Sequence, residues 1–273
     1  MQTRTPGGVP TKGRALGCLP AKVLPGQPTL AGLRMMARVA PARLNRSHID
    51  PSPQMFGNDA LGDCTAAGLL NHMRAVATLG GYQVQADTDD AVRFYAESTG
   101  YMPGEPATDR GGVEVDVLAF AARVGIRLYS GEYFPLWGSV DPQDRNALAL
   151  VMAAMGGVYL GVQLAQSDMN QIAASNGVCV LDTNNGTYGD PTPGSAGGHC
   201  AVGWDYTDLS DAGTVGLLTW GSTATRCTWD WLRSRIMEAH GLVWPQLTLA
   251  SGLYPTGPDI DALRAQNAEF LTP

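Results

Sequence analysis

Asn58-Asp59-Ala60-Leu61-Gly62-Asp63-Cys64 is followed by Thr65-Ala66-Ala67-Gly68-Leu69-Leu70-Asn71-His72-Met73. From Cys64 onward the apolar positions Ala67, Leu70, Met73 and Ala77 recur at three- and four-residue spacing, and Gly80-Gly81 then ends the run. This spacing predicts a helix opening at or near Cys64. A thiol in a first helical turn lies beside N–H groups that have no intrahelical acceptor, and their positive potential favours the thiolate. Six residues upstream, on a glycine-containing loop able to fold back, Asn58 offers an amide that could pair with the Cys64 N–H to hold an oxyanion. Asp63 beside the thiol is expected to work against its ionisation.

The matching base must come from elsewhere. His199 lies 135 residues downstream in Gly197-Gly198-His199-Cys200-Ala201-Val202-Gly203, after a glycine pair and at the opening of a β-prone run. That separation suits a thiol–imidazole pair brought together by the fold. His72, two turns along the Cys64 helix, reads as a core or surface histidine, and His48 and His240 have no evident partner.

The helical readings come first along the chain. After the Cys64 helix they are Thr88 to about Ser98, a segment after Gly111-Gly112 carrying Val113, Val117, Phe120, Ala121 and Val124 before Gly125, and about Asp144 to Met155. Short β-prone runs follow: Val158–Leu164, Ala201–Asp205, Val215–Trp220 and about Cys227–Trp229. Helices first and strands second predict an α+β domain, with a helical half packed on an antiparallel sheet or barrel. The tryptophans Trp204, Trp220, Trp229, Trp231 and Trp244 are expected to fill the β half. The domain is expected over residues 54–249, with an extended arm at 1–53 and a tail at 250–273 holding a short helix near Asp259–Phe270. No internal repeat is visible.

The order of landmarks resembles the papain-like cysteine peptidases over about two thirds of the chain. Asn58…Gly62-Asp63-Cys64 is similar to their oxyanion and nucleophile loop, with Asn in place of Gln. Asp109-Arg110-Gly111-Gly112 is similar to their Gly-Gly turn. Gly198-His199-Cys200-Ala201-Val202-Gly203 resembles their histidine strand, and Leu217-Leu218-Thr219-Trp220-Gly221 the strand that normally reads Asn-Ser-Trp-Gly. The segment also resembles an Asn-Asp-x-x-Gly-Asp-Cys form in bacterial and bacteriophage proteins. The resemblance implies a thioester mechanism on peptide or protein amide bonds, with Cys64 as nucleophile, His199 as base and Asn58 as oxyanion donor. It also exposes a departure: Leu218 stands where the family has the asparagine that orients the imidazole. Thr219 could take that place by a small register shift, and Asp205 or Asp208 are further candidates.

Composition bounds the rest. In 273 residues, 44% are apolar and 16% charged, with 34 glycines and 18 prolines, as in a loop-rich globular chain rather than a helical bundle. Residues 1–50 carry eight Lys/Arg against one acid, so the remainder is strongly acidic within a net charge of -7. The basic residues are scattered, without a run or interleaved aromatics, which does not suggest nucleic-acid binding. Eight prolines in residues 1–53 make an arm that cannot order itself alone, so it is expected to lie on the domain or on a protein neighbour in an assembly. Five cysteines without CxxC spacing suggest neither zinc, another cofactor nor a disulfide framework. The Asp182–Pro193 loop has no acidic ligand at its end and is not read as a calcium site; it is expected to shape the cleft. Neither a signal peptide nor a membrane span is visible, which suggests a cytoplasmic or virion-associated protein. Against the hydrolase stands a second expectation, a catalytically silent papain-fold component of an assembly such as a bacteriophage virion.

Overall fold

The structure is a computed structural model, and it describes residues 13–31, 39–247 and 260–272. The central helix α1 (Cys64–Leu79) is buried along almost its whole length. Such a helix must be covered on all sides. On one side lie α2 (Thr88–Thr99) and α3 (Glu114–Val124); on the other lies the main sheet. The chain spacing had fixed the ends of these helices closely. Asp87 caps α2 with a reciprocal capping box to Asp90, and left-handed Gly100 closes it.

Strand β1 (Ile126–Leu128) pairs antiparallel with β2 (Gly131–Tyr133) as a short hairpin. The main sheet contains β3 (Leu136–Ser139), β4 (Val158–Leu164), β5 (Cys179–Leu181), β6 (Gly197–Tyr206), β7 (Thr214–Leu218), β8 (Thr225–Thr228) and β9 (Ile236–Val243). Their order is β3-β9-β4-β6-β7-β8-β5, antiparallel except for the β5–β8 edge pair. Helix α4 (Arg145–Met155) packs on this sheet, α5 (Gln166–Ala174) and α6 (Trp229–Arg235) follow β4 and β8, and α7 (Ile260–Leu271) lies against β3. The expected α+β class and helix-then-sheet layout are therefore present.

One expectation needs correction, and one helix was not anticipated. Trp229 does not end a strand: Thr228 caps α6, its hydroxyl accepting from the Trp231 N–H, and Trp229 begins the helix. The polar-rich segment after Leu164 forms α5, whose Asp168 is buried between Arg235, Trp231 and Asn185. Trp229, Trp231 and Trp244 fill the core as expected, joined there by Trp137.

The described parts of the arm lie on their own domain. Leu30 is buried against Gly138 and Gly241, where a Cβ would stand 2.9 and 2.6 Å from its side chain. Leu44 forms an antiparallel bridge with Tyr206. Arg46, 5% exposed, donates to the carbonyls of Met152, Gly156 and Trp204 at 2.9, 3.2 and 2.7 Å and covers the Trp204 ring. A cation over the last carbonyls of α4 complements that helix end. Burial lowers the Arg46 pKa to about 10. Arg4, Lys12, Arg34 and Arg38 fall outside the described residues.

Candidate active site

Cys64 is the first residue of α1, 1% exposed. Asp63 is the N-cap residue and makes no side-chain capping bond, so the first-turn N–H groups have no side-chain acceptor from that position. Burial pushes the Cys64 thiol up to about 12, against a smaller downward pull from the backbone at Cys200 and Gly17, and Asp63 would add to the rise only where it is ionised. Asp63 was expected to be a plain anion. Instead burial drives its carboxyl well above the ordinary range, toward the neutral form, against a smaller pull from the Asn58 amide.

His199 is the third residue of β6 and is 3% exposed. Its Nε2 lies 2.7 Å from Thr219 Oγ1. Its Nδ1 is buried without a hydrogen-bond partner. The ring stacks on Trp220, with centroids 4.0 Å apart and planes 12° apart. Trp220 holds a left-handed φ of 45°, a conformation costly for a bulky residue and one that the surroundings must impose. Burial lowers the His199 pKa to about 3. Of the candidates for orienting the imidazole, Thr219 makes the contact. Asp205 is paired with Arg226 at 2.9 Å, and Asp208 is bonded to Ser210.

Asn58 is buried, but its Nδ2 donates to the Leu61 carbonyl at 2.9 Å and so closes its own loop. The loop is also stapled from outside. Asp109 accepts from the Gly62 N–H at 3.1 Å and from the Tyr95 hydroxyl at 2.6 Å, and the same hydroxyl accepts from the Gly111 N–H at 2.9 Å. Asp109 and Tyr95 thus lock the loop before Cys64 to the Gly-Gly turn. The reading of the sequence quoted Asp109 as part of a motif and gave it no task. His72 is structural: its Nδ1 accepts from the Trp244 indole at 3.0 Å, and burial lowers its pKa to about 4.

What the sequence did not announce is that residues 15–19 of the arm run through this site. Ala15 donates its N–H to the Asn58 carbonyl at 2.7 Å and accepts from the Trp220 indole at 3.3 Å. Gly17 accepts from the Gly112 N–H at 2.8 Å, Cys18 donates to the Gly198 carbonyl at 3.1 Å, and Leu19 donates to the Gly112 carbonyl at 2.9 Å. The fit depends on three glycines. A Cβ on Gly17 would meet the Gly62 carbonyl oxygen at 1.9 Å; one on Gly111 would meet the Gly17 oxygen at 2.1 Å; one on Gly198 would meet the Cys18 oxygen at 2.0 Å. Backbone lies directly on backbone, and no side chain fits between. The available signal was the Gly17-Cys18 pair inside the Pro/Gly-rich arm. The Asp182–Pro193 loop packs instead on α5, through Asn185 to Asp168 and Ser167.

Searches against protein-family models and against curated proteins gave no match. Solved structures do match. Xylellain, a cysteine protease from Xylella fastidiosa, superposes with a TM-score of 0.59 at 13% identity, over 85% of this chain and 96% of that one. The fold is that of the papain-like cysteine proteases. Procathepsin L 3 of the Tenebrio molitor larval midgut superposes with a TM-score of 0.55 at 12% identity, over 85% of this chain and 77% of that one. A structure from work on the mite allergens Blo t 1 and Der p 1 gives 0.50 at 10% identity, over 85% and 80%. At these identities the papain-like likeness is one of fold. Among the described residues, no helix is long and apolar enough to cross a membrane.

Proposed function

We propose that the chain is a papain-like thiol hydrolase of peptide or isopeptide amide bonds, held closed by its own residues 15–19. The observation that carries this reading is the papain-like fold with Cys64 as the first residue of α1 and His199 on β6, its Nε2 held by Thr219 and its Nδ1 buried without a partner, so that thiol and imidazole are not bonded to each other in the closed state. In the closed state both groups are dry, and dryness favours a neutral thiol beside a neutral imidazole. Withdrawal of the arm lets water in and weakens that penalty. His199 then takes the thiol proton at Nδ1, and the thiolate attacks the substrate carbonyl. The oxyanion is met by the Cys64 N–H and by the remaining Nδ2 hydrogen of Asn58, the imidazolium returns its proton to the leaving amine, and water hydrolyses the thioester.

The test is hydrolysis of quenched-fluorescent peptides by the full chain and by Gly17→Val, which places a side chain where the arm meets Gly62. Hydrolysis by Gly17→Val well above that of the unaltered chain, and lost again when Cys64→Ala is added, is the expected result. A folded Gly17→Val chain without activity on any peptide, or activity that survives Cys64→Ala, contradicts the reading.

A second reading is a silent papain-fold protein of an assembly such as a bacteriophage virion, docked through residues 1–53. It draws on Leu218 standing where the family has its asparagine, and on the burial of both Cys64 and His199. Under that reading, deleting residues 1–45 abolishes assembly, and Cys64→Ala changes nothing.

A further inference from the structure

Glu114 opens α3, and Glu238 and His240 lie two residues apart on β9, so that both of the latter face the same side of the sheet. The three meet in the core at 0%, 7% and 1% exposure. One donor atom from each falls within 4.8 Å of the others. His240 Nε2 is 3.1 Å from Glu238 Oε2 and 3.8 Å from Glu114 Oε2. Glu114 Oε1 is in turn 3.9 Å from the Cys18 sulfur, on the arm. Space for the cluster comes from Gly161 of β4, where a Cβ would stand 2.9 Å from Glu238 Cγ and 3.3 Å from Glu114 Cδ.

This cluster is out of balance. Two carboxylates share one imidazole, and Glu114 Oε2, Glu238 Oε1 and His240 Nδ1 are all buried without a hydrogen-bond partner. Uncompensated carboxylates are expensive in a dry core. We propose that Glu114, Glu238 and His240 form a zinc site, closed by the Cys18 thiolate of the arm, whose sulfur, among these ligands, now touches only the far oxygen of Glu114 and moves in to reach the metal. Donor atoms 3.1 and 3.8 Å apart bracket the edge of ~3.3 Å expected for a tetrahedron with metal–ligand bonds of about 2.0–2.1 Å. Carboxylate, imidazole and thiolate together are a donor set that zinc accepts and that magnesium or calcium does not. On binding, the protons of the Cys18 thiol and of the buried Glu114 carboxyl leave to solvent, and a Zn–S bond replaces the thiol's contact with Glu114. The metal then tethers residue 18 to the wall of the cleft. Nothing in this site requires Cys64 to be catalytic.

The test uses the full chain, stripped with a chelator, then titrated with zinc chloride by calorimetry and with cobalt(II) as a spectroscopic probe. Expected are uptake of one metal per chain, a raised melting temperature, and a thiolate-to-cobalt absorption band. Cys18→Ser removes the band while weaker binding persists. His240→Gln and Glu238→Gln each weaken binding by more than the ~10–100-fold typical of outer-shell partners. Cys64→Ser keeps both binding and band. Absence of stoichiometric uptake by the unaltered chain overturns the proposal. So does uptake that is unaffected by His240→Gln but is lost with Cys64→Ser or Cys179→Ser. A band that persists in Cys18→Ser overturns the assignment of the fourth ligand.

Discussion

An imidazole serves as a directional base only when its second nitrogen is held, and in the proposed hydrolase the holder for His199 would be the hydroxyl of Thr219, which lies 2.7 Å from its Nε2. A hydroxyl can both donate and accept, so it fixes the tautomer less strictly than an amide oxygen does. Thr219→Val keeps the shape and removes the bond, leaving a buried Nε2 without a partner. Its expected cost is ~1–3 kcal/mol of stability, with at least a ~10-fold fall in kcat/KM for the opened enzyme if about 1.4 kcal/mol of that is felt in the transition state. Thr219→Ser is expected to restore most of both. Denaturant melts and steady-state rates on the Gly17→Val background read these effects.

The same residues set a pH window for the closed state. The His199 pKa falls to about 3 when buried, so the open form binds a proton that the closed form refuses as pH drops below ~6.5. Closure loses up to ~1.4 kcal/mol per pH unit there, less whatever burial His199 retains once open. At the other end the Cys64 thiol, ordinarily at 9.0, is held up to about 12, so closure weakens again as pH rises above 9.0. Hydrogen exchange of residues 13–24 is expected to be faster, after correction for intrinsic rates, at about pH 5 than at about pH 7.5. Equal protection at both would contradict the assignment.

Among the elements, the long periodic ones were legible because a buried face leaves a repeat in the sequence. Cys64, Thr88, Gly125 and Met155 mark helix ends within a residue or so of where α1, α2, α3 and α4 begin or stop. Strand β9 was missed since Ile236-Met237-Glu238-Ala239-His240 places two polar residues on one of its two buried faces, which breaks the apolar run. That miss and the proposed zinc site have one cause. Helix α5 was hidden by its polar composition, and it is secured instead by Asp168 contacts from distant residues. The capping box of α2 supplies a local check: Asp87→Ala is expected to lower stability by ~1 kcal/mol without changing the site, measured by urea unfolding. An unchanged midpoint would show that the box does not contribute.

Across the whole molecule, the arm is where reading the chain alone ran out. Its prolines and scattered charges announced a segment that needs a support, but not which support. The described portions use Arg46 against α4, Leu30 against β3 and β9, and residues 15–19 within the cleft. Such backbone-on-backbone threading leaves only glycines as its trace. Cys64 and His199 could be proposed from spacing and order, whereas the contact of Thr219 with His199 needed coordinates to be told apart from Asp205 and Asp208.

The most direct measurement is the alkylation rate of each cysteine by a peptidyl vinyl sulfone, mapped by mass spectrometry in the unaltered chain, in Gly17→Val and in Gly17→Val with His199→Ala. Slow labelling of Cys64 in the first, labelling far ahead of the other four cysteines in the second, and loss of that lead in the third are predicted. Labelling of Cys64 in folded Gly17→Val no faster than that of the half-buried Cys179, with or without His199, would contradict the account.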